Sequence, residues 1–439
     1  MKKVVKFGGS SLASAEQFMK VCDIIRADES RRYVVPSAPG KRFNDDIKVT
    51  DMLYRCYELA ESGQPFNKQM NQIKDRYNEI IRGLKLDFSL NDDFETIKKQ
   101  FLAKAGRMYA ASRGEYLNGK IMAKYLGFEF IDSANVIRFD KDGNFDADTT
   151  DKLLSERLAA YDHAVIPGFY GAMANGTVVT FSRGGSDITG SLVAKAIHAD
   201  LYENWTDVSG VLVADPRIIN NPEVIHTITY TELRELAYMG ASVLHEDAIF
   251  PVRKAGIPIN IRNTNAPEDE GTMIVESPCR IPAYTITGIA GKKGFVAVNI
   301  EKDMMNSEIG FGRKVLQAFE DNGISFEHMP SGIDTMTIFV HQDEFAPKEQ
   351  RVLSRINELA QPDTIDLESD LALIAVVGRG MKSTRGTAGR LFSALAHAHI
   401  NVKMIDQGSS ELNIIIGVKN VDFEDAIKAI YDMFVMSQL

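Results

Sequence analysis

Val4-Val5-Lys6-Phe7-Gly8-Gly9-Ser10-Ser11 is the stretch that decides the fold. Its apolar run ends in a glycine-rich turn. A helical pattern follows at 15–25, and a second apolar run at 33–36 leads into Ser37-Ala38-Pro39-Gly40. A strand, a turn, a helix and a strand in this order are typical of a βαβ unit. We therefore expect a largely parallel sheet that starts with the first residues of the chain.

The same alternation of strands and helices continues to residue 284. Residues 51–127 are mostly helical in pattern, and further helices are expected at 190–198 and 230–239. Strands are expected at 128–131, 163–167, 177–181, 199–205 and 257–261. Buried strands with helices between them predict an α/β/α sandwich with a mainly parallel sheet over residues 1–284.

The pattern changes after residue 284 and then repeats. Helices are expected at 312–322, 348–360, 386–398 and 423–434. Strands are expected at 285–290, 295–300, 324–328, 335–340, 372–377, 401–405 and 411–418. Two ferredoxin-like βαββαβ units follow from this repeat, one at 285–365 and one at 366–439, and the strands at 285–305 could be shared with the second unit. By itself, the repeat also fits a plain dimerisation module.

Composition excludes several classes of protein. The 439 residues carry a net charge of −10, which argues against a basic face for nucleic acid. Cys22, Cys56 and Cys279 lie far apart, which argues against a disulfide framework or a cysteine zinc site. The sequence shows no apolar run of membrane-spanning length and no signal-peptide core. We expect a cytoplasmic protein that binds neither nucleic acid nor membrane.

The first candidate site is the turn that follows Lys6. Gly8 and Gly9 let the backbone approach phosphate oxygens closely, and Ser10 precedes a helix. A lysine beside such a turn indicates a phosphate cradle, although the same residues also fit an ordinary tight turn.

A second glycine-rich turn, Phe181-Ser182-Arg183-Gly184-Gly185-Ser186-Asp187, also follows an expected strand. Arg183 offers a planar fork suited to a carboxylate. Ser186 and Asp187 stand where helix N-caps occur, so capping is the alternative for both. We expect both strands in one sheet, so that both turns meet at its carboxyl edge, where α/β sheets bind ligands.

A third group of candidates lies further along the chain. Thr206 and Asp207 follow the strand that bears the only Trp, and Asp215 and Arg217 follow a turn. Arg217 could reach a phosphate or could be a solvated turn arginine. Glu115 reads as an acid near a helix start, where the helix dipole would favour it.

These motifs occur in a fixed order. They are followed by Leu236-Ala237-Tyr238-Met239-Gly240-Ala241-Ser242-Val243-Leu244-His245 and then by Ile257-Pro258-Ile259. In that order they closely resemble the aspartate kinase family of the amino-acid kinase fold. The resemblance covers the whole chain and implies that the C-terminal units are two ACT domains.

The resemblance also implies roles for individual residues. Lys6 would stabilise the transferring phosphoryl group, and Asp187 would order the lysine and the reacting groups. The substrate side would consist of Ser37, Thr50, Glu115, Phe169, Arg183 and Ser186, with Arg183 on the α-carboxylate and Glu115 on the α-ammonium of aspartate. The nucleotide side would consist of Lys6, Gly8, Gly9, Ser10, Thr206, Asp207, Asp215 and Arg217.

The implied reaction is transfer of the γ-phosphoryl group of ATP to the β-carboxylate of L-aspartate, the first step toward lysine, threonine and methionine. The acceptor is already ionised at neutral pH, so no general base is needed. Mg²⁺ would be held mostly by ATP and not by a metal site of the chain. Many relatives have Lys at Ser242, Tyr and Thr at Leu212 and Val213, and Pro at Glu246, which leaves the nucleotide contacts less defined than the aspartate contacts.

ACT units imply feedback control by an amino acid, with lysine favoured over threonine, and a homodimer or dimer of dimers. The effector would bind at Met304, Asn306, Ser307, Phe311, Phe326, Glu327, Ser331 and Asp334. The alternatives are a kinase for another amino acid, such as glutamate, and a catalytically weak amino-acid sensor.

Overall fold

The computed structural model describes residues 1–182, 184–241, 244, 246–277 and 284–436. The chain forms two compact units. Unit 1 comprises Met1–Val211, Val224–Tyr230 and Val243–Pro278, and unit 2 comprises Leu212–Glu223, Thr231–Ser242 and Cys279–Leu439.

The described strands are β1 (Lys3–Phe7), β2 (Arg31–Pro36), β3 (Glu129–Phe130), β4 (Arg138–Phe139), β5 (Phe145–Asp146), β6 (Ala164–Val165), β7 (Tyr170–Met173), β8 (Val178–Thr180), β9 (Leu201–Thr206), β10 (Thr227–Thr229), β11 (Ile259–Asn263), β12 (Thr272–Val275), β13 (Gly288–Glu301), β14 (Thr335–His341), β15 (Thr364–Val377), β16 (Met404–Asp406) and β17 (Asn413–Lys419). The described helices are α1 (Ala15–Arg26), α2 (Val49–Glu61), α3 (Asn67–Gly83), α4 (Asn91–Leu102), α5 (Arg107–Leu126), α6 (Ser133–Val136), α7 (Ala147–Leu158), α8 (Gly185–Ala196), α9 (Tyr230–Tyr238), α10 (Glu246–Lys254), α11 (Phe311–Glu320), α12 (Gln342–Phe345), α13 (Glu349–Ala360), α14 (Thr387–His397) and α15 (Phe423–Phe434). Among these helices, none has both the length and the apolar character needed to cross a membrane.

The main sheet of unit 1 has the strand order β10-β12-β11-β9-β1-β2-β6-β3. All its neighbouring strands are parallel except β11 and β12. The expected mainly parallel sheet is therefore confirmed, and β1 lies in its middle, between β2 and β9.

Side chains alternate along a strand, so the two faces of β1 contact different parts of unit 1. Val5 and Phe7 are fully buried in the apolar cluster formed with α1 to α5. Lys6 points the other way and contacts Asp187 on α8. Helices thus cover both faces of the sheet, as the sequence predicts for an α/β/α sandwich.

A strand forms where one is expected at 177–181, but its expected place in the main sheet was wrong. It forms β8, which pairs with β7 in a separate small sheet of order β5-β4-β7-β8. β8 is the edge strand of that small sheet and is joined to β7 by a short antiparallel hairpin. The two glycine-rich turns therefore do not end strands of the same sheet.

Unit 2 contains a five-stranded sheet of order β14-β13-β15-β17-β16. The separate strands expected at 285–290 and 295–300 form one strand, β13, with irregular register near Lys293 and Phe295. Residues 288–293 pair with 372–377, and residues 295–301 pair with β14 and with the first part of β15. β13 therefore pairs with strands of both sequence repeats, and β15 crosses the boundary between them.

The strand expected at 324–328 does not form, and the segment after it makes isolated bridges at His328 and Ser331. Pro330 lies between them and has no N–H to donate, which interrupts a continuous ladder. The strands expected at 335–340 and 411–418 are confirmed as β14 and β17.

Candidate active site

A buried ion pair lies at the centre of the candidate site. The Lys6 ammonium is 2.6 Å from Asp187 Oδ1, and the Asn204 side-chain N–H donates to the same oxygen at 2.8 Å. Lys6 also reaches the Asn204 side-chain oxygen at 3.5 Å. Because Lys6, Asp187 and Asn204 come from β1, α8 and β9, three elements fix the ammonium in one place.

The turn after Lys6 is packed too tightly for a side chain at Gly9, where an added Cβ would lie 2.9 Å from the Ala38 carbonyl oxygen. The Gly8 N–H donates to the Trp205 carbonyl at 3.1 Å, and the Gly40 N–H donates to the Gly9 carbonyl at 2.8 Å. A Cβ on Gly40 would lie 2.6 Å from the Gly9 carbonyl carbon, so these two backbones touch directly. Backbone that approaches this closely, beside an ammonium, is suited to phosphate oxygens.

Arg76 contacts Gly40, the residue that packs against this turn. Only 4% of the Arg76 surface is exposed. Its guanidinium donates to the Gly40 carbonyl at 2.7 Å and to Asp46 at 2.6 Å. The buried cation therefore fixes the residue on which Gly9 rests.

Glu115 is a buried acid in the middle of α5, which has no acidic residue in its first turn. The helix-dipole explanation is therefore wrong, because α5 begins at Arg107. Burial raises the pKa of Glu115 to about 8, and bonding from the backbone, including Ala38, and the charge of Arg113 offset it only partly. One carboxyl oxygen of Glu115 has no hydrogen-bond partner among the described residues. An acid of this kind is suited to a cationic ligand.

Ser37 lies close to Glu115 through Asn118. The fully buried Asn118 donates its side-chain N–H to the Ser37 carbonyl at 2.7 Å, and it lies one helical turn beyond Glu115 on α5. The Ser37 N–H donates to the Phe7 carbonyl at 3.1 Å, which ties it to the end of β1. Thr50 is the second residue of α2 and is half-buried.

The start of α8 packs against the loop that contains Phe169. Phe169 has a positive φ of 82°, and its N–H donates to the Thr189 hydroxyl at 3.1 Å. The N-cap of α8 is Gly184, so neither Ser186 nor Asp187 caps the helix. Arg183 and Ser242 lie outside the described residues.

The expected nucleotide residues fall into both units. In unit 1, Thr206 ends β9 and donates its hydroxyl to the exposed Asp207 at 3.2 Å. In unit 2, Arg217 pairs with Asp215 at 2.6 Å, and this hydrogen bonding lowers the pKa of the Asp215 carboxyl. Arg217 is largely exposed, as a nucleotide contact or a solvated turn residue would be.

The expected effector residues form two groups within unit 2. Asp334 accepts the Met304 N–H at 3.0 Å, and the Asn306 N–H donates to the Ile333 carbonyl at 3.1 Å. Ser307 follows Asn306 in the chain, and the buried Phe311 begins α11. Ser331 is exposed and lies two residues before Ile333.

Glu327 belongs to the second group and lies 3.2 Å from His341. Burial and hydrogen bonding with this carboxylate raise the pKa of Tyr238 to about 12. Phe326 beside it is partly exposed. The Glu327 carboxylate thus contacts the His341 side chain, whereas the Asp334 carboxylate accepts a hydrogen bond from a backbone N–H.

The described residues include no group of three or more His, Cys, Asp or Glu that could hold a metal ion. A cation that accompanies a nucleotide generally takes most of its ligands from phosphate oxygens and water. The Lys6 ammonium and the open backbone of Gly8 and Gly9 fit such a phosphate group.

Sequence reasoning assigned no role to Asn204, Asn118 or Arg76. Asn204 stands beside the quoted Trp205-Thr206-Asp207 motif, and its position at the end of a strand in the central sheet was the available signal. Arg76 and Asn118 lie on helices whose apolar pattern gives no sign of a buried polar contact.

Two family models match the chain. Residues 1–263 match the amino acid kinase family, and residues 374–434 match an ACT domain. Aspartokinase 3 of Bacillus subtilis is 41% identical over 449 residues, which cover 98% of this chain and 98% of that protein.

Solved structures show the same similarity. The crystal structure of Clostridium acetobutylicum aspartate kinase has 52% identity and a TM-score of 0.90, and the match covers 99% of this chain and 100% of that chain. E. coli aspartokinase III in complex with aspartate and ADP has 24% identity and a TM-score of 0.73, with 99% of each chain covered. Its complex with lysine and aspartate has 23% identity, a TM-score of 0.72 and 99% of each chain covered. At that identity, the likeness to the E. coli protein shows the fold alone.

Proposed function

We propose residue roles for this chain, which belongs to the aspartokinase family and is an aspartate kinase, a phosphotransferase that acts on a carboxylate. The observation that carries the proposal is the largely buried Lys6–Asp187 pair beside the glycine backbone of Gly8 and Gly9. Positioned positive charge is what phosphoryl transfer requires most of a protein.

Lys6 binds the β- and γ-phosphates of ATP and stabilises the charge on the transferring group. The Asp187 carboxylate and the Asn204 amide hold its ammonium toward the turn. Because an ammonium has three donors, Lys6 keeps its contact with Asp187 while it donates to phosphate. Gly9 and Ser10 supply backbone N–H groups, while Gly8, whose N–H donates to the Trp205 carbonyl, lets the phosphate approach the backbone closely. Thr206 and Asp207 contact the nucleotide from the end of β9.

Aspartate binds between α5, the end of β2 and the start of α8. Glu115 accepts its α-ammonium, Arg183 binds its α-carboxylate, and Ser37, Thr50, Phe169 and Ser186 line the pocket. An oxygen of the β-carboxylate attacks the γ-phosphorus while the bond from phosphorus to ADP breaks. No proton moves in this step, because the acceptor is already ionised.

Mg²⁺ bound to the ATP phosphates adds positive charge that stabilises the transferring group. The remaining positive charge comes from Lys6. Asp215 and Arg217 are also assigned to nucleotide binding.

An amino acid, with lysine favoured over threonine, regulates the enzyme through the ACT units. E. coli aspartokinase III has been solved with lysine, which supports lysine as the first ligand to try. The Met304, Asn306, Ser307, Phe311, Ser331 and Asp334 region, together with Phe326 and Glu327, is the proposed site. Exposed apolar side chains at Met304, Ile309 and Ile333, beside the edge strand β14, support a homodimer or dimer of dimers formed through these units.

A coupled assay of ADP release with aspartate and with glutamate tests the activity. Aspartate should be preferred by roughly tenfold or more in kcat/KM, since one extra methylene in a closed pocket costs at least that much. Lys6→Ala serves as the inactive control. Equal turnover of glutamate, or ADP release that does not depend on aspartate, would refute the substrate assignment.

A further inference from the structure

Two segments of the amino acid kinase match belong to unit 2. The match covers residues 1–263, yet Leu212–Glu223 and Thr231–Ser242 cluster with the residues of the ACT units. The first segment carries Asp215 and Arg217 of the proposed nucleotide side. The contacts that hold these segments therefore bear on nucleotide binding.

The segment with Asp215 is bonded directly to ACT elements. The Ile289 N–H of β13 donates to the Val213 carbonyl at 2.7 Å. The Glu223 N–H donates to the Tyr431 hydroxyl of α15 at 3.1 Å. The Val213 N–H donates to the Glu223 carbonyl at 2.9 Å, which closes the segment into a loop fixed at both ends.

The second segment is held by a buried carboxylate, Glu232, which is 0% exposed. One of its oxygens accepts the Thr287 hydroxyl at 2.6 Å and the Arg379 backbone N–H at 2.9 Å. The other accepts the Arg379 guanidinium at 2.7 Å. Charge-assisted bonds in a buried setting are the strong ones, so this contact is the tightest polar link between the segment and the ACT elements that is described here.

The sequence Gly378-Arg379-Gly380 explains how Arg379 reaches Glu232. A Cβ on Gly378 would lie 2.6 Å from Ile286 Cα, and one on Gly380 would lie 2.7 Å from the Thr285 carbonyl oxygen. Only glycine at both positions lets this turn lie flat against 284–287. The two glycines therefore allow the close packing that places Arg379 against Glu232.

Residues Thr287, Gly288 and Ile289 join the two segments. Thr287 contacts Glu232, and Ile289 contacts Val213. A Cβ on Gly288 would lie 2.7 Å from the Leu236 side chain and 3.4 Å from the Val213 carbonyl oxygen. A displacement of this strand end must therefore move the loop that carries Asp215 and Arg217.

We infer that Glu232 and Arg379 are positioning residues for the nucleotide: their buried pair fixes the segments that carry and support Asp215 and Arg217, so that loss of the pair weakens nucleotide binding and leaves aspartate binding nearly unchanged. This inference rests on the proposed function.

Arg379→Lys in the full-length protein is the main test, because it keeps the backbone N–H bond and removes the guanidinium. Thr287→Val removes a single hydrogen bond with little change in shape. Arg390→Lys is the matched control, since Arg390 also lies in the ACT part and donates to the Met433 carbonyl at 2.9 Å, but contacts neither segment in any bond described here. KM for ATP, KM for aspartate, kcat and thermal unfolding are measured for each variant, and ADP binding is titrated by calorimetry.

We expect Arg379→Lys to raise KM for ATP and the Kd for ADP about tenfold, because an ammonium cannot reproduce the geometry of the guanidinium bond to Glu232. KM for aspartate should stay within about twofold, and Thr287→Val should show a smaller change in the same direction. Unchanged nucleotide affinity, an equal rise in both KM values, or an equal effect of Arg390→Lys would overturn the inference. Failure of the proposed function would appear differently, as a wild-type protein that binds ADP normally but releases none with aspartate.

Discussion

Glu115 allows a quantitative prediction, because burial raises its pKa to about 8. With that pKa, only about one tenth of the carboxyl groups are ionised at pH 7 and about half at pH 8. The ammonium of aspartate requires the ionised form. The apparent affinity falls in proportion to the competent fraction, so KM for aspartate should decrease about fivefold from pH 7 to pH 8.

Glu115→Gln should abolish this pH dependence and raise KM for aspartate at pH 8 by roughly tenfold or more, since the charged partner is lost. The wild-type kcat at saturating aspartate should change little with pH, because bound ammonium keeps the carboxylate ionised. Kinetics are measured between pH 6.5 and about 8.5, where the substrate ammonium remains protonated.

The same group should affect stability with a defined sign. Its folded pKa lies above the ordinary value of 4.5, so the folded state binds more protons than the unfolded state between pH 4.5 and about 8. The unfolding free energy of the ligand-free protein should therefore fall as pH rises through this window, by up to about 1.4 kcal/mol per pH unit. Glu115→Gln should remove that contribution. A KM that changes less than twofold between pH 7 and pH 8, or a Gln variant with the wild-type profile, would refute the reasoning.

Three further outcomes are expected. Lys6→Ala should lower kcat by roughly a hundredfold or more, because its contact with phosphate strengthens in the transition state; a normal kcat with a lower Tm would instead indicate a structural lysine. Arg183→Ala should raise KM for aspartate by the equivalent of about 2–4 kcal/mol with little change in KM for ATP, and unchanged aspartate kinetics would contradict the clamp. Asp334→Ala should relieve inhibition by lysine or threonine with near-normal uninhibited kcat, and an enzyme that neither amino acid inhibits would show that the ACT units are structural.

Much of the fold could be predicted because its signals are local. The apolar run before Gly8, the helix after it and the second strand predict the βαβ unit, and alternation along β1 separates Lys6 from Val5 and Phe7. The C-terminal repeat likewise predicts helices that the structure confirms, among them α11, α13, α14 and α15. The expected strand at 324–328 does not form, and the bridges at His328 and Ser331 do not join into one ladder because Pro330 between them has no N–H to donate.

The sequence by itself determined which residues are candidates for the chemistry: a lysine before two glycines, an acid in a helix and an aspartate after a second glycine-rich turn. Only the tertiary structure decided which of them meet. Lys6 and Asn204 are 198 residues apart, and no periodicity encodes that contact. The burial that raises the pKa of Glu115 depends on what packs around α5, and the placement of 212–223 and 231–242 with the ACT residues depends on long-range hydrogen bonds. Spacing along a chain reports local geometry, whereas pairing, burial and charge depend on elements that approach from distant parts of the chain.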